Sequence, residues 1–401
     1  MKQYQTKAQG PLDGIRVIDM SRLIAGNMLS LQLGDFGAEV IKIETPGKGD
    51  DLRNWKTDGI EAFWKVYCRN KKSLALNLRT DAAKEAFDRL VKTAHMLIEN
   101  FRPGTLEKMG YGPDALHKLN PKLIIIRVSG WGQDGPYRHK PGFGTLVEAM
   151  TGFAAMNGYG DRPPVLPPLA MADMIAGITG AFAAMVALRE AERDGGKGQV
   201  IDLPLFDPML GILGPQAADY KVTGDVTPRE GSAWQRSAPR NVYETSDGGF
   251  VSLSASMQGM CEQLFKAMGR EELIHDMRFR TNSDRVQNRD ELDAIIQNWM
   301  RQRPRDEILE FFDKQGITVG PVSDIAELMD HPFIKGRGII EEYPDDEMEA
   351  VPMHAVTPRL SATPGAIRSP APKLGEHNAE LLKELGYDAK AQAKLKDQGA
   401  I

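Results

Sequence analysis

Cysteine is nearly absent from this chain: 401 residues carry two, Cys68 and Cys261. Two thiols cannot form a disulfide scaffold, and a chain of this length buries a core without one. They fit a reducing cytosol, the expected location. Histidine is scarce too, at seven, with no H-E-x-x-H spacing and no histidine close to a cysteine, which argues against a metal site. Excess positive charge is missing. Fifty Lys and Arg against 55 Asp and Glu leave a net charge of -5, so no chain-wide nucleic-acid footprint is expected. No apolar run reaches about 18 residues, so no membrane span is expected. The opening MKQYQTKAQG lacks the apolar stretch of a signal peptide. Neither a G-x-S-x-G elbow nor a Walker A sequence occurs, which removes support for a hydrolase of that kind and for a P-loop ATPase.

What is present is an alternation of strands and helices. Ile15–Ile18, Val40–Glu44, Ser73–Leu78, Met96–Glu99, Leu123–Val128 and Val200–Phe206 read as strands. Helices are predicted over Leu23–Phe36, Asp81–Thr93, Thr145–Phe153 and Met174–Arg193, with Gly37 and Gly195-Gly196 as stops. Strand–helix–strand spacing argues for a parallel sheet and an α/β fold. After a polar stretch at about 215–240 the pattern changes. One strand, Phe250–Leu253, precedes three helices, Met257–Met268, Asp290–Gln302 and Arg305–Lys314. Pro352–Pro372 reads as extended linker or edge structure, and Glu376–Leu385 as a short terminal helix.

Three local features carry chemistry. Gly130-Trp131-Gly132-Gln133-Asp134-Gly135 matches G-x-G-x-x-G, but Pro136 to Pro141 follows instead of a helix, and no acidic residue closes a second strand about 20 residues on. The reading is a glycine-rich loop that brings backbone close to something, and not a dinucleotide fingerprint. Arg79, Arg102, Lys108, Arg138 and Lys140 stand near strand or loop ends. Singly each reads as solvated charge; together they could hold a nucleotide phosphate. Asp173 stands where an alanine- and glycine-rich helix begins. It reads either as an N-cap or as a carboxylate nucleophile or base among apolar neighbours, kept ionised by the helix dipole.

Ordered motifs then run nearly end to end: Pro11 to Asp19, Gly34 to Glu44, Arg69 to Ser73, Glu99 to Gly104, Ser129 to Tyr137, the Asp173 segment, Gly195 to Asp202 and Leu374 to Asn378. In these the chain resembles the family III coenzyme A transferases, the group of formyl-CoA:oxalate and carnitine CoA-transferases. The resemblance implies that Asp173 is the nucleophile, forming covalent aspartyl intermediates as CoA moves from an acyl-CoA to an acceptor acid. It implies CoA contacts at Leu76, Arg79, Asn100, Phe101, Arg102, Lys108 and Met109, to which the loop cation Lys140 is added. Ile24, Ala25 and Phe143 fall at the acyl end. CoA and acyl-CoA are then substrates, with no permanently bound cofactor.

Departures from the family pattern narrow this. Ile24 stands where the formyl-CoA enzyme has glutamine, which weighs against oxalate and formate. Thr45 replaces an arginine near the nucleotide, and no glycine-rich lid is evident around Ser254–Gly259. Phe143 stands where the related α-methylacyl-CoA racemases carry a histidine, which weighs against epimerisation; a racemase-type epimerase and a CoA-binding protein without turnover are the alternatives. The family also implies a large Rossmann-like domain interrupted by a smaller inserted α/β domain. We place the large domain at 1–224, the small one at 225–328, and a C-terminal return to the large domain at 329–401. It further implies an interlocked homodimer, with each active site between the large domain of one chain and the small domain of its partner.

Overall fold

Apolar runs in the first half build a single sheet. The computed structural model describes residues 1–401. β1 (Arg16–Asp19), β2 (Glu39–Glu44), β3 (Lys71–Ala75), β4 (Met96–Glu99), β5 (Ile124–Ser129) and β6 (Val200–Pro204) pair in parallel in the order β3-β2-β1-β4-β5-β6. The register sets Ile18 beside Ile41 and Leu97, and Leu97 beside Ile125. Neighbouring residues on a strand face opposite ways, so Val17, Ile98 and Ile126 enter one core while Ile18, Leu97 and Ile125 enter the other. Helices Ala25–Asp35 and Met171–Ala191 cover the first core, and Asp81–Val91 covers the second. Thr80 caps that last helix by accepting the Ala83 N–H. The result is a Rossmann-like, mixed α/β arrangement whose strand order reverses between β1 and β4, the point at which such sheets bind ligands at their carboxyl ends.

Two helices on the first core approach closely because one of them lacks bulk. A Cβ on Gly177 would lie 2.7 Å from the Met28 side chain, and one on Gly180 would lie 2.5 Å from Leu29 Cδ1. The helix Met171–Ala191 also corrects one expectation. Its 21 residues, with mean hydropathy 1.7 over the most apolar window, are long and apolar enough to cross a membrane. Asp173, Thr179 and the glycines interrupt the run, which is why it does not stand out in the sequence. Its small side, Ala172, Ala176, Gly177, Gly180 and Ala184, is buried in the protein's own core, as in a core helix of a globular fold.

The chain forms two compact units: 1–154, 166–223 and 337–401 make the first, and 155–165 with 224–336 make the second. The second unit thus ends at Gly336, where 328 is the expected boundary, and takes in a short segment near 160. That segment joins it by pairing of Tyr159 with Glu230. The second unit holds a three-stranded antiparallel sheet, β7 (Arg240–Glu244), β8 (Phe250–Ser254) and β9 (Val319–Pro321). Val251, Leu253, Phe265, Ile296 and Phe312 fill its core. In the first unit, β10 (Ile340–Asp345) and β11 (Glu349–His354) form a hairpin, so the beginning of the proline-rich stretch is paired strand. A second C-terminal helix, Ala389–Asp397, follows the expected one.

Candidate active site

The loops leaving β1, β2, β3 and β4 enclose a cavity of about 650 Å³ at the carboxyl ends of the strands. Met20–Arg22 follow β1, Thr45–Asp50 follow β2, Leu76–Arg79 follow β3, and Phe101, Thr105 and Met109 follow β4. This is the sheet's switch point. Of the residues assigned to CoA, Leu76, Arg79, Phe101 and Met109 line it. Leu76 is buried and Arg79 is exposed, an apolar wall beside a free-standing cation. Asn100 is used differently. Its Oδ1 accepts the Arg22 N–H at 2.9 Å and its Nδ2 donates to the Arg22 carbonyl at 2.8 Å, so the side chain fixes the β1 loop. Arg22 in turn lies over the Phe101 ring, 5.6 Å from its centroid. Arg102 and Lys108 are exposed and do not line the cavity. Lys140 lies over the Tyr137 ring at 3.4 Å, also outside it.

The glycine-rich loop follows β5, not β1, which separates it from a dinucleotide fingerprint in position as well as in sequence. Its close approach is to its own chain: a Cβ on Gly130 would sit 2.6 Å from Gly142 Cα, and Trp131 Nε1 donates to the Pro141 carbonyl. This fold-back delivers Phe143 and Gly144 to a second cavity.

That cavity, of about 660 Å³, surrounds Asp173. Leu23, Ile24, Trp55, Phe63, Tyr67 and Phe143 supply much of its wall. Ile24 is buried, whereas Phe143 is 61% exposed. The stretch Met20–Ile24 therefore borders both cavities, Ser21 and Arg22 on one side and Leu23 and Ile24 on the other.

Asp173 is not an N-cap. It is the third residue of helix Met171–Ala191, whose N-cap position belongs to Ala170 with no side-chain cap. The capping work falls to Glu148, a buried residue of helix Gly144–Met150 whose Oε1 accepts the Ala172 N–H at 3.0 Å. The helix start does not keep Asp173 strongly acidic either. Burial pushes its carboxyl up to about 6, with the nearby Glu148 charge adding to the rise, against hydrogen bonds from backbone N–H groups including that of Ala25. Asp173 is thus mostly ionised near pH 7 and more basic than an ordinary carboxylate. Gly144 makes room for it: a Cβ there would fall 2.3 Å from Asp173 Oδ2. Sequence reasoning missed Glu148 and Gly144 because their link to Asp173 spans more than 20 residues and lies in no local motif.

A Rossmann-like sheet, a cavity at its switch point and a half-buried carboxylate in the adjoining cavity make up the site of an α/β fold of the ligand-binding kind. Residues 12–378 match the model of CoA-transferase family III, and the chain belongs to that family; by class it is an acyl-CoA:carboxylate CoA-transferase. It is 40% identical over 378 residues, 94% of each chain, to the succinyl-CoA–D-citramalate CoA-transferase of Chloroflexus aurantiacus. It is 34% identical to the succinate–glutarate CoA-transferase of Agrobacterium fabrum, covering 94% of this chain and 96% of the other. Among solved structures, a CaiB/BaiF family protein from Brucella suis superposes with a TM-score of 0.83 at 35% identity, covering 94% of this chain and all of that one.

Proposed function

We propose that the protein transfers CoA from succinyl-CoA to a small carboxylic acid through covalent intermediates on Asp173. The observation that carries this is the Asp173 carboxylate, half-buried with Gly144 leaving room at its Oδ2, in a cavity that shares the Met20–Ile24 loop with the nucleotide-sized one. The succinyl donor is drawn from the names of the relatives.

An Asp173 oxygen attacks the thioester carbonyl; the C–S bond breaks and a mixed anhydride and CoA thiolate result. The thiolate attacks the aspartyl carbonyl, releasing succinate and leaving an aspartyl-CoA thioester. The acceptor carboxylate attacks that same carbonyl and expels the thiolate, giving a new anhydride. The thiolate then takes the acceptor's acyl group and Asp173 is regenerated as carboxylate. No net proton is consumed, and each covalent step divides one hard exchange into easier ones. When the aspartyl carbonyl is attacked, its oxygen gains charge in the first turn of helix Met171–Ala191, where nearby backbone amides would stabilise the oxyanion. Ile24, Trp55, Phe63 and Phe143 give the acyl group apolar and aromatic surface to pack against. Leu76, Phe101 and Met109 pack against the nucleotide arm of CoA, and Arg79 meets a phosphate. Arg102, Lys108 and Lys140, exposed around this face, add long-range attraction for the anionic substrate.

We infer a homodimer, interlocked as the resemblance implies. In support, Ile178, Phe182, Met185 and Val186 leave an apolar side of helix Met171–Ala191 exposed, and such a patch on a chain of this size calls for cover. The test is a panel of acceptor acids with succinyl-CoA, read by mass spectrometry. New acyl-CoA from wild type and none from Asp173→Ala is expected. Transfer by Asp173→Ala at the wild-type rate overturns the reading, as does deuterium wash-in at the α-carbon without an acceptor acid as the only activity found.

A further inference from the structure

The loop between the two cavities is held from behind by a buried ionic cluster that the transfer chemistry does not use. Leu23 adopts a left-handed backbone conformation, φ 61°, which a branched, non-glycine residue takes only when its surroundings impose it. What imposes it is Asp50. Its Oδ1 accepts the N–H groups of Leu23 and Leu52, each at 2.9 Å. Its Oδ2 accepts from Asn27 Nδ2 at 2.9 Å and pairs with Lys42 Nζ at 2.9 Å. Asn27 Nδ2 also donates to the Leu23 carbonyl at 2.6 Å, so both peptide groups of Leu23 are gripped. Lys42 is fully buried; it contacts Asp19 at 3.2 Å and donates to the Ser21 carbonyl. Lys71, buried as well, bonds the Asn27 Oδ1 at 2.9 Å and keeps that amide oriented.

Leu23 and its neighbour Ile24 line the cavity that surrounds Asp173. We propose that Asp50 is a positioning residue for transfer: by clamping Leu23 in its strained conformation it fixes the Leu23–Ile24 wall of the cavity against the reacting carboxylate, from a backbone position that itself borders the nucleotide cavity. This rests on the reading of Asp173 as nucleophile. Only a carboxylate fits the role, because both of its oxygens face donors. An asparagine must turn its NH₂ either toward two backbone N–H groups or toward Lys42 and Asn27. Burial works against the Asp50 charge, yet Lys42 and the Leu52 and Leu23 N–H groups outweigh it and hold the carboxyl down at about 2. The clamp is therefore ionised at every pH where the enzyme works.

The test is steady-state transfer from succinyl-CoA by Asp50→Asn, with hydroxylamine trapping of the acyl-enzyme, normalised to the folded fraction by thermal melting. A fall in kcat of about 10- to 100-fold is expected, with the KM for succinyl-CoA changed less than about threefold and less trapped acyl-enzyme, since a small misplacement of a reacting group has that effect on rate. Asn27→Ser, which loosens the same peptide and leaves the Asp50 charge in place, should show a smaller fall of the same kind and serves if Asp50→Asn does not fold. Folded variants that keep the wild-type kcat and trapping yield, or that change KM alone, overturn the inference. If Asp173→Ala retains transfer, the catalytic reading itself fails, an outcome separable from an intact Asp50 effect on kcat.

Discussion

Two aspartates flank one loop and are treated in opposite ways. Asp173, on the cavity side of Leu23–Ala25, faces Glu148 and apolar walls and is pushed up to about 6. Asp50, on the buried side, faces Lys42 and two backbone N–H groups and is held down at about 2. Identical side chains are thus pushed in opposite directions, because desolvation wins where the partner charge is negative and loses where it is positive.

The largest effect expected from breaking this asymmetry is at the reactive end. Asp173→Ala should lower kcat for CoA transfer by about 10³-fold or more, as removal of a covalent nucleophile does, with CoA binding by calorimetry nearly unchanged. Next comes crowding of that carboxylate. Gly144→Ala puts a Cβ 2.3 Å from Asp173 Oδ2, so the carboxylate must turn out of its present position. A loss of roughly 10- to 100-fold in kcat is expected with little change in melting temperature.

Reading these residues from sequence works only as far as local pattern reaches. The parallel strands stand out because each is buried on both faces, which makes Leu123–Val128 an unbroken apolar run. Asp173 is found through ordered motifs; its local chemistry alone suits a cap equally well. Lys42 carries a usable signal, a lysine inside the apolar strand β2, but its partners Asp19 and Asp50 come from different loops and strands and show no spacing. That Asn100 bonds the Arg22 backbone is not legible in the sequence, since only the adjacency of the β1 and β4 ends creates the pairing. The β10–β11 hairpin is hidden by Pro344 and Pro352, residues that ordinarily argue against a strand but are accommodated in a two-stranded ribbon.

The two aspartates also differ in what they do to stability. Folded Asp173 binds its proton more tightly than the unfolded chain does, so its contribution is full below about pH 4 and is lost as pH rises through about 6. Asp173→Asn should therefore stabilise the protein at pH 8, by roughly 1–3 kcal/mol after discounting for partial exposure, and have little effect at pH 4. Asp50 has the reverse sign: its contribution is present above about pH 4 and is lost as pH falls through about 2. Between pH 4 and 8 the effect of Asp173→Asn should therefore change while that of Asp50→Asn stays nearly level; chemical denaturation at the two pH values checks this, and parallel pH dependences would contradict it. The same asymmetry predicts that kcat/KM of the wild type falls about tenfold per pH unit below about pH 6, following Asp173 alone.

The smallest effect lies at the nucleotide cavity, away from both carboxylates. Arg79 is exposed, so its attraction for a phosphate is solvent-screened and its loss should raise the KM for succinyl-CoA only about three- to tenfold, with kcat unchanged. Salt sharpens the point. Raising ionic strength should raise the wild-type KM and leave that of Arg79→Ala less affected, because the variant has already lost a screened contact. The kcat of both should stay level, since Asp173 and Asp50 interact with neighbours too close and too buried to be screened. A kcat that falls with Arg79→Ala would mean that the exposed cation reaches the reacting carboxylate, and the division between a binding cavity and a reacting one would then be wrong.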